Sequence, residues 1–221
     1  MLLRLEGVLD RAQVAEFRRI MEAANWNDGA VTGDPAIKNN LEALRSSPGY
    51  NDATKKILGA LMAQPKFRSY AWPKQIMLAI NRYDPGMFYD NHMDSPIMGM
   101  EGGQAMRSDL SFTVALTDPA DYRGGEFVVQ TPFGEERLKL EAGAAIVYPS
   151  TMIHRVEPIE DGTRWAAFGW IQSMVRNDDR REIMYELDEL RGIATREIAG
   201  SEIVVRFDHL HGNLLRLWAE L

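Results

Sequence analysis

The chain has 221 residues, 45% apolar and 26% charged, which suits one soluble globular domain that needs no disulfide or metal staple to fold. It contains no cysteine, so thiolate catalysis, Cys-ligated zinc and iron–sulfur clusters are excluded together, along with any disulfide argument for secretion. The net charge of −7 argues against a general nucleic-acid binder, which would show a basic stripe.

Charges at Arg4 and Glu6 interrupt the apolar N-terminus, and no small-residue cleavage site follows, so no signal peptide is expected. No apolar run approaches the length of a membrane span, and a cytoplasmic location is the default expectation. Asp10 and Gln13 have capping-box spacing. Val14, Phe17, Met21 and Ala24 follow at helical intervals, predicting a first helix that runs to about Ala24. Residues 27–50 are rich in Gly, Pro, Asn and Ser and read as a loop. A second helix is predicted over 52–63, with Ile57, Leu58, Leu61 and Met62 on one face and Pro65 beyond its end.

From residue 76 the pattern turns to strands. IMLAINRY (76–83) and DLSFTVALT (109–117) come first, the second alternating through Leu110, Phe112, Val114 and Leu116. EFVVQT, EERLKL, AAIVYP, IHRVEPI and RWAAFGWIQS complete the series, with turn residues every few positions. Many short strands so punctuated indicate a sandwich or barrel, and a double-sheet jelly roll is the natural candidate. The tail returns to helix. Asp178 or Asp179 would cap a segment carrying Ile183, Met184, Leu187 and Leu190. A final amphipathic helix spaces Ile203, Phe207, Leu210, Leu214, Leu217 and Leu221 by 4-3-4-3-4. That seam fits either packing on the chain's own sheet or a subunit contact, and so a homo-oligomer. The organisation expected is mainly β with flanking helices: a helical flank over 1–75, a jelly-roll core over 76–175 and a helical extension over 176–221.

The chain has four histidines. His209 and His211 stand at i and i+2 on the last helix, point in different directions, and read as surface residues. His92-Met93-Asp94 differs. In an extended segment i and i+2 project to the same side, so imidazole and carboxylate can converge on one ion. His154 opens a later strand and supplies a third ligand. Two His and one carboxylate leave half an octahedron open, the arrangement of non-heme Fe(II) oxygenases. Arg164 follows ten residues later across an Asp161-Gly162 turn and shares a strand face with Ala166, Phe168 and Trp170. An arginine on such a face wants a buried anion, and its planar fork suits a carboxylate. Tyr83, before the Asp84-Pro85-Gly86 turn, has a hydroxyl that could donate to the same anion, although packing explains a tyrosine there equally well. Phe88, Tyr89, Phe168 and Trp170 are candidates to line the pocket.

With these residues in view, NRYDPGMFYDNHMD, RSDLSFTVALTDPADYRGGEFVV and the stretch running from YPSTMIHRV through GTRWAAFGWIQS to the helix beyond it resemble the PKHD-type hydroxylases, relatives of the prolyl hydroxylases in the Fe(II)/2-oxoglutarate dioxygenase superfamily. The resemblance runs from Gly7-Val8-Leu9 to the helix after the barrel. It implies a double-stranded β-helix, iron held by His92, Asp94 and His154, and the distal carboxylate of 2-oxoglutarate held by Arg164. It also implies O₂ as co-reactant, L-ascorbate as an auxiliary reductant, and hydroxylation of a substrate C–H bond coupled to conversion of 2-oxoglutarate to succinate. The substrate could be a peptidyl proline, an amino acid or a small molecule. Residues 95–106, Met- and Gly-rich, find no match in the resemblance and fall where a substrate lid would sit. The rival readings are a cupin-like metal enzyme of another reaction class and an iron- or oxygen-sensing module without turnover.

Overall fold

The structure, a computed structural model, describes residues 1–99 and 101–221; Met100, within the Met- and Gly-rich segment, lies outside the described residues. The first helix, α1 (Arg11–Glu22), begins on a complete capping box. Asp10 accepts from the Gln13 amide at 2.8 Å, and the Gln13 side chain accepts from the Asp10 amide at 2.8 Å. Its buried face is Val14, Phe17 and Met21, as the spacing predicts.

Helix α2 (Tyr50–Ala63) starts two residues earlier than expected, because the chain enters it through Gly49 at φ 77. A Cβ there would sit 2.3 Å from Ile20 Cγ2, so glycine is needed for both angle and space. Its buried face is Tyr50, Ala53, Ile57 and Leu61, while Met62 is exposed rather than packed. Pro65 does not end the helical region. It occupies the first position of a further helix, α3 (Pro65–Ala71), where its missing N–H costs nothing.

Residues 27–50 are not simply a loop. They contribute to strands Trp26–Asp28, Lys38–Asn39 and Leu41–Ala43, two or three residues each and too short to show any alternation. Their partners reveal them. Leu41–Ala43 pairs with the long strand Pro73–Tyr83, and Lys38–Asn39 pairs with Phe88–His92.

Two antiparallel sheets form the jelly roll. The seven-stranded one runs in the order Leu3–Leu5, Ala145–Pro149, Leu110–Ala115, Arg164–Ser173, Pro73–Tyr83, Leu41–Ala43, Trp26–Asp28. The five-stranded one runs Gly134–Leu138, Phe127–Thr131, His154–Val156, Phe88–His92, Lys38–Asn39. Alternation along the strands divides the interior into two cores. Leu78, Ile80, Phe112, Val114, Trp165, Ala167 and Ile171 pack outward against α1, α2 and α3. Tyr83, Phe127, Val129, Ile146, Tyr148 and Val156 fill the space between the sheets.

After the barrel, α4 (Asp178–Glu197) is capped by Asn177, whose side chain accepts from the Arg180 amide, one residue before the expected aspartates. The last helix, α5 (Glu202–Trp218), lies against α4 rather than on a sheet. His211 is therefore not a surface residue. It is 8% exposed, beside the Trp72 ring and 3.8 Å from Asp188, whereas His209 is exposed as expected. No helix among the described residues is long and apolar enough to cross a membrane.

Candidate metal and co-substrate site

The antiparallel pairing of Phe88–His92 with His154–Val156 sets His154 directly opposite His92, with ring centroids 4.2 Å apart. Asp94 follows just past the strand end, with Met93 exposed between the two. One ligand atom from each of His92, Asp94 and His154 lies within 4.8 Å of the others, and His154 Nε2 is 3.7 Å from Asp94 Oδ2. Among the described residues this is the single cluster of that kind.

The two imidazoles are oriented alike. Nδ1 of His92 is 2.7 Å from the Asp90 carbonyl, and Nδ1 of His154 is 3.0 Å from the Met152 carbonyl. A carbonyl can only accept, so each neutral ring carries its proton on Nδ1 and presents a lone pair at Nε2. Burial, reinforced by the neighbouring His154, lowers the His92 pKa to about 4, so its ring stays neutral at physiological pH. Tyr89 stacks on His92 at 3.5 Å and 9°, and Tyr148 stands edge-on to His154 at 5.0 Å.

Behind the carboxylate is a chain of hydroxyls that the sequence did not disclose. Ser111 donates to Asp94 Oδ2 at 2.6 Å, and Ser150 lies 2.7 Å from Ser111. Both are buried, Ser111 within the strand Leu110–Ala115 and Ser150 in the turn just past the end of the neighbouring strand Ala145–Pro149. Tyr148 was equally unmarked. It is fully enclosed, and burial beside the Asp94 charge keeps its hydroxyl protonated.

Arg164 opens the strand Arg164–Ser173 directly across from Tyr83, its guanidinium carbon 5.3 Å from that ring's centre. It is 7% exposed, and among the described residues no carboxylate forms an ion pair with it. Asn81 donates to the Tyr83 hydroxyl at 3.3 Å, leaving that hydroxyl's own proton free to donate elsewhere. Burial, partly offset by Arg164, raises the Tyr83 pKa to about 12, so the donor is retained. A cavity of about 440 Å³ joins the two ends, bordered by the three clustered side chains, by Tyr83 and by Arg164. Tyr89, Phe168 and Trp170 line it as expected, but Phe88 does not. Beside it the strands Ile97–Gly99 and Ala105–Arg107 pair antiparallel, and Met98 contributes to the lining.

A jelly roll enclosing this cluster at one end of a cavity and a buried arginine at the other defines a class, and the comparisons agree with it. Residues 78–172 match the 2OG-Fe(II) oxygenase superfamily. PKHD-type hydroxylases of Methylobacterium nodulans and Gluconobacter oxydans are 40% and 41% identical, each over the full length of both chains. The chain belongs to the PKHD-type hydroxylases, and so to the Fe(II)- and 2-oxoglutarate-dependent dioxygenases. The fold is shared with a Pseudomonas putida prolyl-4-hydroxylase (TM-score 0.53, 20% identity, covering 78% of this chain and 92% of that one). It is also shared with a Trichoplax adhaerens prolyl hydroxylase solved with a hypoxia-inducible-factor peptide (TM-score 0.60, 13% identity, 83% and 86%).

Proposed function

We propose that His92, Asp94 and His154 hold Fe(II), and that Arg164 and Tyr83 hold the far carboxylate of 2-oxoglutarate. The substrate is a peptidyl side chain, an amino acid or a small molecule bearing the C–H bond to be hydroxylated. The observation that carries the reading is Arg164: a guanidinium buried in the wall of a cavity, with no acidic partner among the described residues. A buried charge needs compensation, and a dicarboxylate spanning the cavity supplies it.

The cluster fits iron on chemical grounds. Two imidazole nitrogens and one carboxylate oxygen would hold the metal, and they are the donor set of non-heme Fe(II) oxygenases. The redox chemistry, in which O₂ oxidises 2-oxoglutarate to succinate and CO₂ while a C–H bond is hydroxylated, is what Fe(II) supplies when bound. The chain's own residues do the rest. Asp90 and Met152 carbonyls fix both rings, and Ser111 with Ser150 fixes the carboxylate. Arg164 offers two parallel N–H donors and Tyr83 a third from the side, which sets the direction in which the co-substrate lies. Phe168, Trp170 and Met98 narrow the rest of the cavity with apolar surface and limit water around the reacting groups.

L-Ascorbate as auxiliary reductant, a cytoplasmic location, and a catalytic unit over residues 76–175 with flanks on either side belong to the same reading. The test is turnover. The purified chain, loaded anaerobically with Fe(II) and mixed with 2-oxoglutarate and O₂, is expected to form succinate with or without ascorbate. Screened against a peptide and metabolite panel, it should yield a product heavier by one oxygen atom. A folded, iron-loaded protein that forms no succinate under any of these conditions would overturn the assignment.

A further inference from the structure

Arg164 stands in a wall between two spaces. On one side is the cavity of about 440 Å³, on the other a void of about 10 Å³, and Arg164, Thr113 and Phe127 border both. Tyr122 borders only the small void, so it lies behind the guanidinium, on the side away from the cavity.

The chain holds Tyr122 firmly in that place. Strands Tyr122–Gly124 and Ile159–Gly162 pair antiparallel, with Tyr122 opposite Gly162, two residues before Arg164 opens its own strand. Gly125, at φ 67, lets the ring and the arginine stem share one small patch of backbone. A Cβ there would lie 3.0 Å from Tyr122 Cε2 and 3.3 Å from Arg164 Cδ. Lys139 fixes the tyrosine further, donating to its carbonyl at 2.8 Å and setting its ammonium 4.2 Å from the ring centre.

A guanidinium has five N–H donors, and a carboxylate in the cavity takes two of them. The others face a largely apolar wall that includes Phe127, Leu138 and Leu140. Two hydroxyls in that wall are already engaged. Thr117 accepts from the Trp165 amide at 2.9 Å, and Thr113 is hydrogen-bonded to Tyr148. The third belongs to Tyr122, which is 6% exposed. Burial raises the pKa of this phenol, and the charge of Arg164 together with its hydrogen bond to Tyr122 opposes that rise.

With Arg164 taken as the co-substrate anchor, we infer that Tyr122 is its positioning residue: the hydroxyl tethers the guanidinium from behind and so sets the length of 2-oxo dicarboxylic acid that the cavity accepts. The two tyrosines then differ in role. Tyr83 meets the guanidinium on the cavity side and can reach the carboxylate itself, whereas Tyr122 acts only through the arginine. A tethered fork stays at one depth. A freed one can withdraw toward the void and admit a longer acid. One methylene in a shaped site is worth about 10–200-fold in discrimination, so the wild type should prefer 2-oxoglutarate to 2-oxoadipate on that scale.

The test is a double-mutant cycle read by binding. The Fe(II)-loaded full chain is titrated anaerobically with 2-oxoglutarate and, separately, with 2-oxoadipate, following the visible absorbance of the complex. Tyr122→Phe removes one oxygen atom and keeps the ring against Gly125 and Lys139, so circular dichroism and Mn(II) affinity should match the wild type. It should weaken 2-oxoglutarate binding about tenfold to a hundredfold, the range of one hydrogen bond to a charged group. 2-Oxoadipate should lose far less, so that the preference for the shorter acid shrinks. In an Arg164→Ala background the same substitution should change neither affinity, because its effect passes through the arginine. Wild-type 2-oxoglutarate affinity in Tyr122→Phe would overturn the inference, as would an equal loss for both acids or a loss undiminished without Arg164. A wild-type chain that binds neither acid would overturn the anchor as well, which tells the two failures apart.

Discussion

Ser111 Oγ donates to Asp94 Oδ2 at 2.6 Å, and Ser150 Oγ stands 2.7 Å behind it. A hydroxyl that gives its proton to a carboxylate still has lone pairs to accept with, so the chain runs from Ser150 through Ser111 to Asp94 and fixes the plane of that carboxylate. Outer partners of this kind typically change metal affinity by about 10–100-fold when removed. Ser111→Ala is expected to weaken binding of Fe(II), or of Mn(II) as a redox-silent surrogate, on that scale. Ser150→Ala, one link further out, should weaken it less. Calorimetric titration of the metal-free protein measures both, and wild-type affinity in Ser111→Ala would remove the hydroxyl chain from the account.

Single loss of a clustered side chain gives a sharper outcome. His92→Ala, Asp94→Ala and His154→Ala should each abolish Fe(II)-dependent succinate formation while circular dichroism stays that of the jelly roll, because each leaves only two of three ligating groups. Near-normal turnover in any one of them would show that the metal sits elsewhere.

What could be read from the sequence was what repeats or punctuates. The capping box at Asp10, the alternation through Leu110–Ala115 and the polar turns gave the helices and the long strands in their places. Arg164 was legible because a guanidinium sharing a face with Phe168 and Trp170 has no ordinary place to go. The strands at Trp26–Asp28, Lys38–Asn39 and Leu41–Ala43 were not legible, since two or three residues carry no period and their partners lie far along the chain. Ser111 and Ser150 were hidden for a related reason. A hydroxyl on a core strand looks like tolerated polarity until the partner 17 residues away in sequence, Asp94, is folded against it. His211 was misread because i, i+2 spacing describes one helix and says nothing of the neighbour that covers it.

The buried His211 gives a pH prediction. Burial, reinforced by Arg191 and opposed by Asp188 and Asp208, lowers its pKa below the ordinary 6.5. The unfolded chain therefore takes up this proton more readily than the folded one. The stability that depends on a neutral His211 is fully present above about pH 6.5 and is lost as the pH falls below it. His92 shares this direction and other groups titrate nearby, so the comparison is made against His211→Gln, which keeps a polar side chain of similar bulk without titrating. Urea midpoints between pH 5 and 8 should fall more steeply on the acid side in the wild type than in the variant. Parallel curves would mean that His211 is equally easy to protonate folded and unfolded.

The Arg164–Tyr83 pair makes the most discriminating prediction, because it separates a 2-oxoglutarate enzyme from other jelly-roll metal chemistry. Arg164 is buried and ends the cavity, and an arginine–carboxylate fork there is a charge-assisted contact shielded from water. Removing the arginine leaves the co-substrate's carboxylate with the Tyr83 donor but no countercharge, at a cost of roughly 3–5 kcal/mol by comparison with broken buried ion pairs. At about 1.4 kcal/mol per tenfold, Arg164→Ala should weaken 2-oxoglutarate binding by about two to three and a half decades. Metal affinity should barely change, since Arg164 is not among the clustered side chains. Arg164→Lys should recover only part of the loss, because an ammonium replaces the planar fork by a point charge. Tyr83→Phe removes a single side donor and should cost about tenfold or less, the range of one net hydrogen bond. Anaerobic titration of 2-oxoglutarate into the Fe(II)-loaded protein, followed by the visible absorbance of the complex, measures all four proteins on one scale. An Arg164→Ala curve that overlays the wild type would sink the anchor and leave the buried guanidinium with no assigned countercharge.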